Sequence, residues 1–308
     1  IWPYAGPKTY IEDVFNSYLW AGNSASGGTQ TFVTGIDTST NGGLVWIKRR
    51  SAADNHVLFN TAQLATKYLS SNTTTATTTN ANTLTAFTTT GFSIGNSSLV
   101  NNENDLYVGW TFRKQPKFFD IVTYTGTGAN ATIAHSLGVV PGCIMVKRTD
   151  TAADWAIYHT SLDNTEYLVL NTTAAKATGA TWWNSTTPTS SVFSVGTDAS
   201  VNANTGTYVA YIFANDAGGF GISNTSNVIS CGSYTGNGSA TGPIVTLGYE
   251  PQWLMIKKSS AVGNWQMLDD MRGMPVGSAD STLQANKTDS QASVEYASPT
   301  ATGFQITS

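Results

Sequence analysis

Val45-Trp46-Ile47-Lys48-Arg49, Ile144-Met145-Val146-Lys147-Arg148 and Leu254-Met255-Ile256-Lys257-Lys258 are one phrase written three times. Each is an apolar run of strand length that ends in two basic residues. A fixed internal repeat sets the architecture before any single motif is weighed. It also sorts residues: those that recur belong to the scaffold, and those that break the pattern are candidates for something else.

The repeat extends to both sides of the phrase. Each copy opens on an aromatic-x-Gly turn, Trp20-Ala21-Gly22, Tyr124-Thr125-Gly126 and Tyr234-Thr235-Gly236. Eight residues after the first Lys of the phrase stands a ring: His56, Trp155 or Trp265. Leu-x-x-Asn follows (Leu69 to Asn72, Leu168 to Asn171, Leu283 to Asn286), and then a strand around Phe92, Phe193 or Phe304. Fifteen residues beyond that Phe, the first two copies close with Tyr107-Val108-Gly109-Trp110-Thr111-Phe112 and Tyr208-Val209-Ala210-Tyr211-Ile212-Phe213. The third has no such segment before Ser308, and the chain starts at Ile1 without Met. The expectation is a segment of a longer polypeptide or, alternatively, a neighbouring chain that supplies the strand.

Period-two alternation such as Phe119-Asp120-Ile121-Val122-Thr123-Tyr124, with abundant Thr, Asn and Gly, favours short strands joined by turns. A short helix over residues 57–70 is the one helical expectation. The predicted fold is all-β: three tandem β-sandwich, jelly-roll-like domains of about 100 residues each, a usual domain size. Residues 1–10 are a linker, 11–115 and 116–222 are complete repeats, and 223–308 is a repeat without its last strand. Domains that bury their own cores would stack end to end as a rod, with the Lys/Arg pairs as strand ends reaching solvent.

The composition narrows the function. Charged residues are 11% and the net charge is −4 with no basic block, which argues against nucleic acid. No apolar run approaches the ~20 residues of a membrane-spanning helix. Cys143 and Cys231 stand at non-equivalent repeat positions and read as buried free thiols. His56, His135 and His159 form no metal-type pair, Asp269-Asp270 reads as a solvated loop start, and Asn101, recurring as Asn202, reads as a turn residue. No catalytic constellation, metal or cofactor is implied.

Most tryptophans (Trp20, Trp46, Trp110, Trp155, Trp253, Trp265) fall at repeated apolar positions and read as core, while Trp2 precedes the first copy. Trp182 and Trp183 break the pattern, because the other copies hold small residues there. Exposed rings stack on sugars or anchor interfaces, so this pair is the first candidate contact for a glycan, a receptor or a neighbouring chain. Met271, Arg272 and Met274, in Met271-Arg272-Gly273-Met274-Pro275, form the second candidate.

His135-Ser136-Leu137-Gly138-Val139-Val140-Pro141 followed by Ile144-Met145-Val146-Lys147 resembles modules of bacteriophage tail-fibre and virion-appendage proteins. Leu247-Gly248-Tyr249-Glu250-Pro251 repeats the turn, whereas the first copy has Asn41-Gly42-Gly43 instead. The closing phrase at Tyr107–Phe112 and the 271–275 loop are similar to uncharacterised proteins of marine, cyanophage-like viruses. The resemblance implies a non-enzymatic structural protein of the virion surface, in tail or capsid. It also implies a homo-oligomer, by family tendency a trimer, that meets other virion proteins and a host surface glycan or protein. A purely architectural fibre or tail connector, and a glycan depolymerase, are the alternatives.

Overall fold

A computed structural model describes residues 8–24 and 27–307. Trp2 and most of the expected linker lie outside the described residues. The first repeat contributes β1 (Phe15–Ala21), β2 (Gln30–Val33), the one-turn helix α1 (Thr38–Asn41), β3 (Gly43–Arg49), β4 (Val57–Asn60), β5 (Lys67–Tyr68), β6 (Thr78–Thr79), β7 (Leu84–Phe87), β8 (Gly91–Ile94), α2 (Ser98–Asn101) and β9 (Leu106–Arg113). The second runs β10 (Phe119–Thr125), β11 (Ala131–Ala134), β12 (Pro141–Arg148), β13 (Trp155–His159), β14 (Glu166–Val169), β15 (Ala177–Thr178), α3 (Ala180–Trp183), β16 (Val192–Val195), α4 (Ala199–Asn202) and β17 (Thr207–Ala214). The third contains β18 (Ile244–Thr246), β19 (Trp253–Lys257), β20 (Trp265–Asp269), β21 (Asp280–Gln284), β22 (Ala292–Val294), β23 (Ala297–Thr300) and β24 (Gly303–Ile306). The chain is all-β, with antiparallel pairing throughout the described sheets. The helix expected over 57–70 is instead strand β4 and a turn into β5; Val57, Leu58 and Phe59 are each fully buried, on alternate faces.

Each repeat forms a lobe with two main sheets, to which the first adds the two-stranded β5-β6. In the first, β1-β9-β3-β4 lies over β2-β8-β7; in the second, the order β10-β17-β12-β13-β14-β15 lies over β11-β16. In both, the closing strand (β9 or β17) is slotted between the opening strand and the phrase strand (β3 or β12). The third lobe has β19-β20-β21-β22 over β18-β24-β23. Among the described residues its phrase strand β19 pairs on one side only, with β20.

In the first two lobes the phrase strand is buried on both faces, and in the third it is partly buried. Val45 and Ile47 pack into their own lobe with Phe32, Phe59 and Phe92. Leu44 and Trp46, one residue out of phase, enter a second core. That second core holds side chains from all three lobes: Trp46, Trp110 and Phe112 from the first, Phe119, Trp155 and Tyr211 from the second, Trp265, Met267 and Leu283 from the third. The lobes therefore surround a common centre, and the end-to-end rod expected from the sequence is corrected. The reason is area: the larger sheet of each lobe is apolar on its outer face too, and burying about 25 cal/mol per Å² of such surface favours closing the faces on one another.

Candidate functional site

The centre of the molecule is built from three equivalent seams. Within each lobe, the Asn of Leu-x-x-Asn clamps the loop after the phrase strand. Asn72, Asn171 and Asn286 accept through Oδ1 from the backbone N–H of His56, Trp155 and Trp265 at 3.0, 2.8 and 2.9 Å. Their Nδ2 groups donate to Asn55, Asp154 and Asn264. This fixes the ring that follows the phrase strand, and the ring then reaches into the preceding lobe of the cycle.

Trp155 Nε1 donates to the Ser70 carbonyl of the first lobe at 2.9 Å, and Trp265 Nε1 to the Val169 carbonyl of the second at 3.1 Å. His56 Nε2 meets the Gln284 carbonyl of the third at 3.1 Å. Ser70, Val169 and Gln284 each follow the Leu of Leu-x-x-Asn, so the three bonds are one contact repeated around a closed cycle. Trp46 Nε1 donates to His56 Nδ1 at 2.9 Å, so Nδ1 accepts and Nε2 carries the proton. Burial and, next, the Lys48 charge hold the imidazole well below its ordinary value, which keeps this neutral form.

The lysines repeat the cycle. Lys147 Nζ donates to the Thr74 carbonyl at 2.8 Å, Lys257 to Thr173 at 3.3 Å and Lys48 to Thr288 at 3.2 Å. The backbone adds Ala153 N–H to Thr74, Gly263 to Thr173 and Asp54 to Thr288. Lys48 and Lys147 are fully buried. The expectation that the Lys/Arg pairs reach solvent is thus corrected for both. The alternation of the strand sends Lys inward and Arg outward, where Arg49 pairs with Asp54 and Asp105, and Arg148 with Asp150. Burial lowers Lys48 and Lys147 to about 8.

At the end of the strand after the phrase, the first and third lobes each offer a polar residue to a neighbour's closing strand. Asn60 Nδ2 donates to the Tyr211 hydroxyl at 2.9 Å. Asp269 Oδ2 accepts from Trp110 Nε1 at 2.8 Å and from Arg272 Nε at 2.5 Å. Asp269 and Arg272 form an ion pair with both side chains buried, and the guanidinium lies 5.4 Å from the Trp110 ring centroid. Asp269 is therefore no solvated loop start. Burial pulls Arg272 below its ordinary value, and Asp269 opposes this.

The candidates picked from the sequence fall into two places. Trp182 and Trp183 lie on α3 in the second lobe's own core, 8% and 1% exposed. This corrects the exposed loop that the sequence pattern predicts for them. Adjacent residues on a helical turn point about 100° apart, so Trp183 enters the core edge-to-face with Tyr158 while Trp182 stacks on Tyr167 with centroids 3.7 Å apart. Of the 271–275 loop, Arg272 and Met274 are buried and Met271 is 53% exposed. Met271 lines a shallow cleft with Ile11, Phe15, Gln252 and Asp270, where the third lobe meets the start of the first. The structure does not bring the tryptophan pair into this cleft.

The remaining sequence candidates have internal partners. Asn101 and Asn202 are buried hubs whose Nδ2 groups donate to the Gly95 and Gly196 carbonyls at 2.9 and 2.7 Å. Cys143 and Cys231 are free thiols, each raised by burial, Cys231 to about 12. The sequence reading missed Lys48, Lys147, Asn60, Tyr211 and Asp269. The signal available for the seams was the phrase itself: it is apolar at consecutive positions, as in sheets covered on both faces.

The geometry defines a class: an all-β chain whose three repeated lobes close around one core. Residues 11–308 match a family described as a domain of unknown function (DUF7483), and the chain belongs to that family. The match spans all three lobes. No curated protein and no solved structure matches the chain.

Proposed function

We propose that this protein is a non-enzymatic structural module of a bacteriophage particle, a tail-fibre or similar surface appendage that contributes to host attachment. The observation that carries the reading is the closed cycle of seams. The side chains that most often do chemistry (Lys48, Lys147, His56, Asp269, Arg272) are used to lock three lobes into one body. A rigid platform with Thr- and Asn-rich loops suits repeated weak contacts that gain strength through multivalency. One chain also carries the threefold arrangement that a trimer of single-lobe chains would make. The exposed Met271 cleft is the surface we assign to a glycan or protein contact, in place of the buried Trp182 and Trp183. That burial favours the architectural alternative, a capsid-decorating fibre or connector without receptor contact.

The test is to purify particles that carry this protein and locate it with an antibody, then ask whether the purified protein competes for adsorption to host cells. Surface labelling with competition supports attachment. Surface labelling without competition leaves the architectural reading, and absence from particles overturns both. Release of reducing sugars from host envelope would establish the depolymerase alternative.

A further inference from the structure

The third lobe contains the outline of a strand that the described residues do not supply. In the first two lobes the closing strand fills a slot between the opening strand and the phrase strand, in one register. Trp46 faces Trp110 and Met145 faces Tyr211; Leu44 faces Phe112 and Cys143 faces Phe213. In the third lobe β19 presents this edge unpaired among the described residues.

Three further sites around that edge lack, among the described residues, the partner that a closing strand or its connection supplies in the other lobes. Trp20 stacks on Tyr107 at 5.5 Å and Tyr124 on Tyr208 at 5.0 Å, and both also meet the lobe's Phe edge-on. Tyr234 keeps the edge-on contact, with Phe304 at 6.5 Å, but has no stacking partner among the described residues and is 37% exposed. A Cβ at Gly22 would lie 1.9 Å from the Asn102 carbonyl oxygen, and one at Gly126 2.2 Å from that of Ala203. Both crowding groups belong to the connection that leads into the closing strand. Gly236 holds the same place with nothing within 4 Å of such a Cβ. Finally, Asn60 and Asp269 bond to Tyr211 and Trp110 of the neighbouring closing strands, whereas their equivalent His159 has only a bond from the Ser161 N–H to Nδ1. Its Nε2 has no partner among the described residues.

We propose that β19 and the segment around Tyr234 form a receptor slot for one more β-strand, antiparallel to β19, with the closing pattern aromatic-Val-small-aromatic-x-Phe. Its first aromatic stacks on Tyr234, its second carries a polar atom to His159 Nε2, and its Phe lies opposite Trp253. The two filled slots indicate the source, because each receives its strand from the same polypeptide at the same spacing beyond the Phe of the preceding strand. The occupant is therefore the lobe's own closing strand, joined to β24 through a connection like that of α2 and α4.

The experiment compares the 308-residue chain with a version in which the sequence of residues 196–214 is appended after Ile306, and with the 308-residue chain plus a synthetic peptide of residues 207–214. Hydrogen exchange is read at β19, with β3 and β12 as filled-slot references. The expected result is that the appended strand slows exchange at β19 by at least ~10-fold, shifts the Tyr234 ring and His159 imidazole resonances, and leaves the chain monomeric. A second appended version with Phe at its Tyr211 equivalent should protect β19 but lose the His159 shift. The proposal is overturned if β19 in the 308-residue chain already exchanges as slowly as β3 and β12, or if the appended strand changes nothing. Protection by the free peptide but not by the appended strand overturns the assigned source, as does dimerisation of the 308-residue chain that itself protects β19.

Discussion

The seam between the first and second lobes and the seam between the third and first do the same job with different chemistry. In one, Trp155 reaches the Ser70 carbonyl beside a neutral Asn60–Tyr211 pair. In the other, His56 reaches Gln284 beside the buried Asp269–Arg272–Trp110 cluster. The substitution is not isolated within the lobe. The second residue of the phrase, Trp46, has Met145 and Met255 as its equivalents. Thus the first lobe combines Trp46 with His56, and the others combine Met with Trp. A large ring and a smaller partner exchange places while the pair fills a similar volume. The asparagine clamp and the lysine contact recur in all three seams, while the side chains between them vary.

The sharpest way to break the comparison is at the charged seam. Asp269→Ala leaves the Arg272 charge buried and unpaired, with an expected loss of about 3–5 kcal/mol, read by denaturant unfolding. The neutral counterpart, Asn60→Ala, should cost only about 1–2 kcal/mol, because it removes ordinary hydrogen bonds. Equal losses would show that charge does not distinguish the seams.

Next in size is the exchange of the paired rings. His56→Trp alone overpacks against Trp46 and should destabilise by about 1–3 kcal/mol. Trp46→Met with His56→Trp recreates the pairing of the other lobes and should return to within about 1 kcal/mol of the parent, a coupling that a double-mutant cycle reports directly. Trp155→Phe keeps the packing but removes the donor to the Ser70 carbonyl, with an expected cost of about 1–3 kcal/mol.

The smallest effect is in pH. His56 stays neutral in the fold because burial depresses its pKa, whereas the unfolded chain binds a proton near pH ~6.5. The unfolded state then gains protons as pH falls. This part of the stability is complete above ~6.5 and drains away below it, toward the folded value. Unfolding measured between pH 7 and 5 should lose stability on acidification, and the Trp46→Met/His56→Trp variant should flatten that slope. Some slope remains, since burial also lowers His135 and His159.

Much of the scaffold is legible in the residues. The recurring Phe strands and the ring after each phrase fall where the repeat puts them, and His56 is the buried ring its alignment with Trp155 and Trp265 implies. Trp253 is the partial exception among the repeated tryptophans, being only half-buried at the edge of the third lobe's sheet. The candidate contacts were harder to read. Whether Trp182 and Trp183 face solvent depends on one helical turn and on Tyr167, a residue well separated in sequence that no local pattern ties to them.

The sequence by itself determined the all-β class, the recurrence of the strands and the burial of most of their rings. These follow from local alternation, turn residues and a repeat that is its own alignment. Only the tertiary structure decided that the lobes close in a cycle, that Lys48 and Lys147 are interior donors, and that Asp269 anchors a buried cluster. Each of these depends on what covers the outer face of a sheet. A strand's residues state that a face is apolar, but its partner is chosen by the packing of surfaces far apart in the chain.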